Sequence, residues 1–393
     1  MTISAIRIGE VLNIPFDADQ IAAIEAPFQP NVVIAGAGAG KTSVMAARVV
    51  YLVANNYVRA DEVLGLTFTN LATASLQKKI REALNALLGE NTEDSGEPTV
   101  STYHSFAQSI VKNNGLRIGI EPDADVLSDV RREQLASYVI QKTKVPLADL
   151  DMAFSTVLDY TLKLDDRLAD YDLATVDVRT FNDRVFDGLN GIGGNDPTRD
   201  IPANAKKRNY LLEVVEEFRA YKKATDNIDY ADMTRLSLLI ARQYPAVISE
   251  LRQQFKLVML DEYQDTSVAQ RKLMSAIFGD GHPVTAVGDP LQSIYSFRGA
   301  SPYNIEQFVS HFPLETGETS TRYALPTTRR NGRNIVAIAN AVSERLRQPD
   351  AHPHVQKLVA GEPSKYGPGN VAVTCHKTSD DELHWIANHI RQA

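Results

Sequence analysis

Four short stretches are apolar throughout, with no alternation, and each ends at a polar or glycine-bearing loop: NVVIAG from Asn31, EVLGLTFTN from Glu62, KLVMLDE from Lys256 and PVTAVGD from Pro283. Unbroken apolar runs of that length read as strands buried on both faces, as in a parallel sheet. The residues behind them change to helical spacing, as at Val44, Ala47, Val50, Tyr51 and Ala54. Strand, loop and helix in repetition predict an α/β fold with a doubly wound sheet.

Between Thr99 and Asp226 that rhythm gives way to helical patterns such as Leu211, Val214, Val215, Phe218 and Tyr221. The expectation is an inserted helical subdomain over 99–225, entered after the polar GENTEDSGEP (89–98) and carrying a turn-rich segment from Asn190 to Asn204. The sheet-bearing lobe then comprises 1–98 and 226–311, and a further region, 312–393, begins near Phe312. That last region has a helical pattern at Ile335, Ile338, Ala339 and Val342, the turn-rich QPDAHPH and GEPSKYGPGN, a strand-like VAVTC from Val371 and a helix-like ELHWIANHI from Glu382. No internal repeat or low-complexity tract stands out.

Composition narrows the class. Of 393 residues, 44% are hydrophobic and 23% charged, which excludes intrinsic disorder, and a single cysteine excludes a disulfide scaffold. Cys375 alone points to a reducing, cytoplasmic compartment, and the start MTISAIRIGE lacks a secretory pattern. No run reaches the ~18 apolar residues a membrane span needs. A net charge of −8 means that any nucleic acid is gripped in a local groove and not over the whole surface.

Two places carry chemistry. AGAGAGKT (Ala35, Gly36, Ala37, Gly38, Ala39, Gly40, Lys41, Thr42) follows the strand VVI and opens a helix. Glycines let backbone N–H groups crowd phosphate oxygens, the helix N-terminus adds positive potential, Lys41 serves the β and γ phosphates, and the Thr42 hydroxyl reaches Mg²⁺. The second place is Asp261-Glu262. Three Asp-Glu dipeptides occur, but only this one ends an apolar run, where ligands bind in open α/β sheets. There Asp261 can hold Mg²⁺ and Glu262 can polarise the water that attacks the γ-phosphate. ATP and Mg²⁺ are the implied cofactors.

DEYQDT (261–266) followed by VGDPLQSIYSFRGA (287–300) resembles the superfamily 1 DNA helicases of the UvrD, Rep and PcrA group, and other motifs stand in that family's order along essentially the whole chain. The resemblance implies a RecA-like P-loop NTPase sheet with a helical insertion and an incomplete second RecA-like lobe. It makes Gln20 the adenine-reading glutamine and AGAGAGKT, with Ser43 behind it, the phosphate loop. TFTN (67–70) and STYHSF (101–106) become strand-contacting motifs, and NIDYADM (227–233) another. Gln292 is assigned to the γ-phosphate, with Tyr295, Phe297 and Arg298 close by to report nucleotide state to DNA. Phe68 and His104 join them for bases, and Thr69 and Asn70 for phosphates. Aromatic stacking is worth ~1–3 kcal/mol per base whatever its sequence. TTRRNGRNI (from Thr327) resembles a weak fourth motif, whose Arg330 reaches the γ-phosphate as an arginine finger.

The chain departs from the pattern at Ala35, where a glycine is usual, at Phe297 in place of Trp, and at Arg329 in place of an adenine-stacking aromatic. Ser43 and Leu71 also replace basic residues. The family's motifs V and VI, with a second arginine finger, would lie beyond Ala393, so the chain resembles the N-terminal portion of a helicase. The resemblance implies an ATP-driven 3′→5′ single-strand translocase acting on single-stranded DNA and duplex junctions, with weak ATP and DNA binding and little hydrolysis by this portion alone. A partner subunit or attached nuclease is left open, as is a naturally short nucleotide-gated module that binds DNA or a partner without unwinding. Lys206, Lys207 and Arg208 suit duplex DNA or a solvated helix start equally. A small-metabolite P-loop kinase fails to explain QSIYSFRGA.

Overall fold

The computed structural model describes residues 2–89, 96–189, 198, 200–361 and 367–392. The expected turn-rich segment at 190–204, the polar 89–98 and the loop 361–370 lie in part outside them. Residues 201–204 are no turn: they open the helix Ile201–Ala224, whose first turn accepts Pro202 because no N–H is needed there.

The strands are β1 (Asn31–Ala35), β2 (Val63–Thr67), β3 (Thr99–Thr102), β4 (Asp125–Val126), β5 (Asn227–Ile228), β6 (Leu257–Leu260), β7 (Val284–Gly288), β8 (Thr321–Leu325), β9 (Thr327–Thr328) and β10 (Val359–Ala360). Six form one sheet in the order β3-β2-β6-β7-β1-β8, all neighbours parallel. The α/β expectation therefore holds. The four interior strands are the four apolar runs, and every residue in them is buried. Registers such as Ile34↔Gly288 and Leu260↔Ala286 bring the C-terminal ends of β1, β6 and β7 to one edge of the sheet.

The edge strands extend the sheet beyond the expected boundaries. β3 belongs to it although the insertion was placed from Thr99, and the helix after β3, Tyr103–Asn114, packs Phe106 and Ile110 into the same core as Leu64, Leu260 and Phe278. β8 pairs with β1, so this compact unit runs to Leu325, past the expected start of the last region at 312. Its helical insertion has its own apolar contacts, with Val157, Leu211 and Val214 in one cluster and Leu168, Leu212 and Val215 in another. Each fully buried side chain of this kind is worth roughly 1.5–3 kcal/mol. The pairing of β4 with β5 ties the insertion's entry to its exit.

The second compact unit contains 36–40 and 326–393. In it β9 pairs with β10, and the helix Arg333–Val342 is fastened by Asn340, whose amide donates to the Leu358 carbonyl (2.8 Å) and accepts from the Leu358 N–H (2.9 Å). Glu382 lies in the helix Ser379–Gln392, as its spacing predicts. VAVTC forms no strand: residues 371–375 have no ladder partner among the described residues, and Val373 is exposed. Apolar alternation makes a strand only where another strand accepts its backbone groups.

Candidate nucleotide and DNA site

β1 runs into the loop 36–40, which leads into the helix Lys41–Ala54. Gly38 and Gly40 have φ of +78° and +83°, the left-handed region that side chains with a Cβ avoid. Across the sheet, β6 ends at Leu260, and the next residue, Asp261, donates its N–H to the Leu66 carbonyl of β2 (2.8 Å). Lys41 Nζ lies 3.4 Å from Glu262 Oε2. Lys41 and Glu262 come from helix and strand tip on separate chain segments, and the parallel register brings them together.

Glu262 has φ 44° and ψ 45°, a left-handed conformation that costs a non-glycine residue roughly 1–2 kcal/mol. That turn sends the carboxylate toward Lys41 while Asp261 stays buried. Asp261 accepts the Glu262 N–H (3.0 Å), and Tyr103 donates to the Asp261 carbonyl oxygen (3.1 Å). Burial, reinforced by the Glu262 charge, pushes the Asp261 carboxyl up to about 7. The same two causes push Asp265 up to about 6, and its Oδ1 is buried without a hydrogen-bond partner. The strand tip thus gathers three carboxyl groups, Asp261, Glu262 and Asp265, with the Lys41 ammonium beside Glu262.

Gln264, to which the sequence reading gave no role, links this pair to the next loop. Its Nε2 donates to Glu262 Oε2 (2.9 Å) and to Asp265 Oδ2 (3.2 Å), and its Oε1 accepts the Asp289 N–H (3.0 Å). Gln292 in turn donates to Asp289 Oδ2 (2.7 Å). A continuous polar path therefore runs from Lys41 through Glu262, Gln264 and Asp289 to Gln292. The signal for it was present in DEYQD and GDPLQ, two short polar clusters each ending an apolar strand.

Past Gln292 the chain presents rings. Phe68, just beyond β2, stacks on Tyr295 with centroids 4.9 Å apart, and Tyr295 lies 5.9 Å from Phe297. The Arg298 guanidinium is 5.7 Å from the centroids of both Tyr295 and Phe297. Phe297 remains 62% exposed. Thr69 caps the helix Asn70–Leu88 by accepting the Ala72 N–H (3.1 Å), so its hydroxyl already serves the helix start, while Asn70 is exposed. His104 is exposed near the start of the helix after β3, and Thr67↔Thr102 register brings the ends of β2 and β3 level.

Gln20 is buried in the helix Ala18–Ile24, where its Oε1 accepts the Asp17 N–H (3.0 Å) in a capping box. The carbonyl ends of that helix and its loop are held by Arg48, another residue the sequence reading passed over. Its guanidinium donates to the carbonyls of Ile24 (3.1 Å), Ala26 (2.8 Å) and Pro27 (2.9 Å), and its Nε to Thr285 Oγ1 (2.8 Å). Ser43 is half-buried in the helix behind Lys41. In the second unit, the Arg329 N–H donates to the Gly38 carbonyl (3.3 Å), and the Arg330 N–H to Thr328 Oγ1 (3.4 Å), with the Arg330 side chain exposed. Among the described residues no helix is long and apolar enough to cross a membrane.

The family model described as UvrD/REP helicase N-terminal domain matches residues 16–313. The chain is 27% identical over 388 residues to the ATP-dependent DNA helicase PcrA of Leuconostoc citreum, covering 98% of this chain and 45% of that protein. It is 29% identical over 324 residues to the ATP-dependent DNA helicase UvrD1 of Mycobacterium tuberculosis, covering 80% and 37%. Against the PcrA of Staphylococcus aureus the identity is 25% over 334 residues, covering 84% and 39%. The chain spans less than half the length of these curated relatives. With the match covering most of the chain, on the same segments that carry the phosphate loop, the acidic pair and the aromatic array, the chain belongs to the UvrD/REP helicase N-terminal domain family.

Proposed function

We propose that this chain is the ATP-binding and single-strand-gripping portion of an ATP-driven DNA helicase that translocates 3′→5′ and works at duplex junctions in the cytoplasm. The observation that carries the reading is the Lys41–Glu262 approach of 3.4 Å, joined by Gln264 and Asp289 to the loop that bears Tyr295 and Phe297. The PcrA and UvrD1 relatives, ATP-dependent DNA helicases by name, agree with it.

The backbone of 35–40 and Lys41 bind the phosphates, Gln20 and Arg329 the adenine, and Ser43 supports the loop from the helix. Thr42 and Asp261 would hold Mg²⁺, and the buried Asp261 carboxyl fits a divalent cation. Bound magnesium triphosphate supplies a phosphoanhydride open to in-line attack by water. Glu262 orients that water and accepts its proton, while Lys41 and Arg330 neutralise charge on the transferring oxygens. Gln292, held by Asp289, would offer its amide to the γ-phosphate, and Gln264, bonded to both loops, would relay the change between them. Phe68, Tyr295, Phe297 and Arg298 stack on bases, and Thr69, Asn70 and His104 line the path of the strand.

Equilibrium binding of a fluorescent ATP analogue with Mg²⁺ tests the nucleotide half. Lys41→Ala should abolish binding, and Glu262→Gln should retain it while removing whatever hydrolysis the parent shows. Equal affinity in Lys41→Ala and parent would refute the site.

A further inference from the structure

The inserted helix Phe154–Tyr171 reaches the turn that carries the exposed ring. From it, the Arg167 guanidinium donates to the carbonyl oxygens of Ser296 (3.4 Å) and of Phe297 itself. Nearby on the same helix, Asp170 packs against Gly299: a Cβ built on Gly299, whose φ is +76°, would come within 2.5 Å of Asp170 Cβ. The segment needs such support. Ser296–Arg298 is a single 3-10 turn with no buried side chain, tied internally by Arg298 N–H to Tyr295 O (2.8 Å) and Gly299 N–H to Ser296 O (3.1 Å). A rigid fork of N–H donors suits two successive carbonyls, which a lysine ammonium cannot engage with the same geometry.

We propose that Arg167 is a positioning residue for Phe297, so that the helical insertion sets the aim of the stacking ring and thereby the strength of the single-strand grip. This rests on reading Phe297 as a base-stacking ring. Arg167 also lines a cavity of about 480 Å³ with Lys163, Lys207 and Arg208, and a direct phosphate contact from that basic surface is the competing role.

The chain's one tryptophan is Trp385, so Phe297→Trp adds a local fluorescent reporter. Its acrylamide quenching is measured without DNA, with and without Arg167→Ala, after subtracting the signal of the Phe297 parent. In parallel, anisotropy gives the affinity for a short oligothymidylate of the parent, Arg167→Ala, Phe297→Ala and the double variant, at two salt concentrations. The proposal expects altered quenching and about tenfold weaker oligothymidylate binding in Arg167→Ala. It expects less than about twofold further loss when Arg167→Ala is added to Phe297→Ala, and an unchanged ATP-analogue affinity. Should Arg167→Ala lower the melting temperature, Arg167→Lys, which keeps the charge and loses the fork, should reproduce the quenching change.

Unchanged quenching overturns the proposal. So does a full loss persisting in the Phe297→Ala background with the salt slope reduced by about one, which marks a direct phosphate contact. Altered quenching in a protein that binds no oligothymidylate upholds the positioning role and refutes the base-stacking reading on which the function rests.

Discussion

Replacing Lys222 by methionine keeps an unbranched stem of similar length and removes the charge. Lys222 Nζ lies 2.6 Å from Asp229, 2.8 Å from Asp232 and 3.4 Å from Asp165, and all four side chains are buried. Asp165 and Lys222 lie on helices of the insertion, whereas Asp229 caps and Asp232 opens the helix Tyr230–Gln243 of the sheet-bearing core, so the cluster fastens one to the other. Breaking a buried ion pair costs roughly 3–5 kcal/mol, because the remaining charge is left uncompensated. Here each carboxylate keeps an arginine: Arg132 on Asp229 (2.9 Å), Arg219 on Asp165 (2.6 Å) and Arg235 on Asp232 (2.7 Å). The loss should therefore fall near the lower end, about 3 kcal/mol at pH 8.

The pH dependence has a definite sign. Burial, then the Asp232 charge, already raise the Asp229 carboxyl above its ordinary value, and losing Lys222 raises it further. A group raised in the folded state favours folding at low pH and disfavours it as pH rises through the folded value. The penalty of Lys222→Met should thus shrink from pH 8 to pH 5. Urea unfolding followed by circular dichroism at both pH values measures it. A penalty below about 1 kcal/mol, or one that is equal at pH 5 and pH 8, would refute the buried-charge account.

Asp261→Asn should raise the melting temperature of the nucleotide-free protein at pH 8 but not at pH 4, because the raised Asp261 carboxyl costs stability progressively as pH climbs through about 7; a pH-independent difference between the two melting curves counts against it. Arg48→Met should destabilise by about 3 kcal/mol and weaken ATP-analogue binding, since it strips donors from the carbonyls of Ile24, Ala26 and Pro27 beside the Gln20 helix. Parent-like urea midpoints would contradict this. Gln264→Ala should leave ATP-analogue affinity within about twofold and cut any hydrolysis by about tenfold, because it frees Glu262 and Asp289 from their shared amide. A single-turnover assay measures it, and parent-like turnover dismisses the relay.

The four interior strands were legible because burial on both faces demands unbroken apolar runs, and the sheet made of them is the one the sequence implies. The edge strands were not. TVST and TRYAL are partly exposed, polar on one side, and become strands because β2 and β1 offer them backbone partners. VAVTC shows the converse, a strand-like pattern with no partner among the described residues.

The phosphate loop and the acidic pair could be read residue by residue because each consists of contiguous residues with a local backbone requirement, glycines at positive φ in one and a polar strand end in the other. Their approach to 3.4 Å, the Gln264 relay, the Arg48 clasp and the hold of Arg167 on the Phe297 turn join residues from 2 to more than 200 positions apart. Side-chain type and spacing along the chain set which groups are available for chemistry. Which of them meet is decided by sheet register and helix packing, since hydrogen bonds and ion pairs act over a few ångströms in space whatever the distance along the chain.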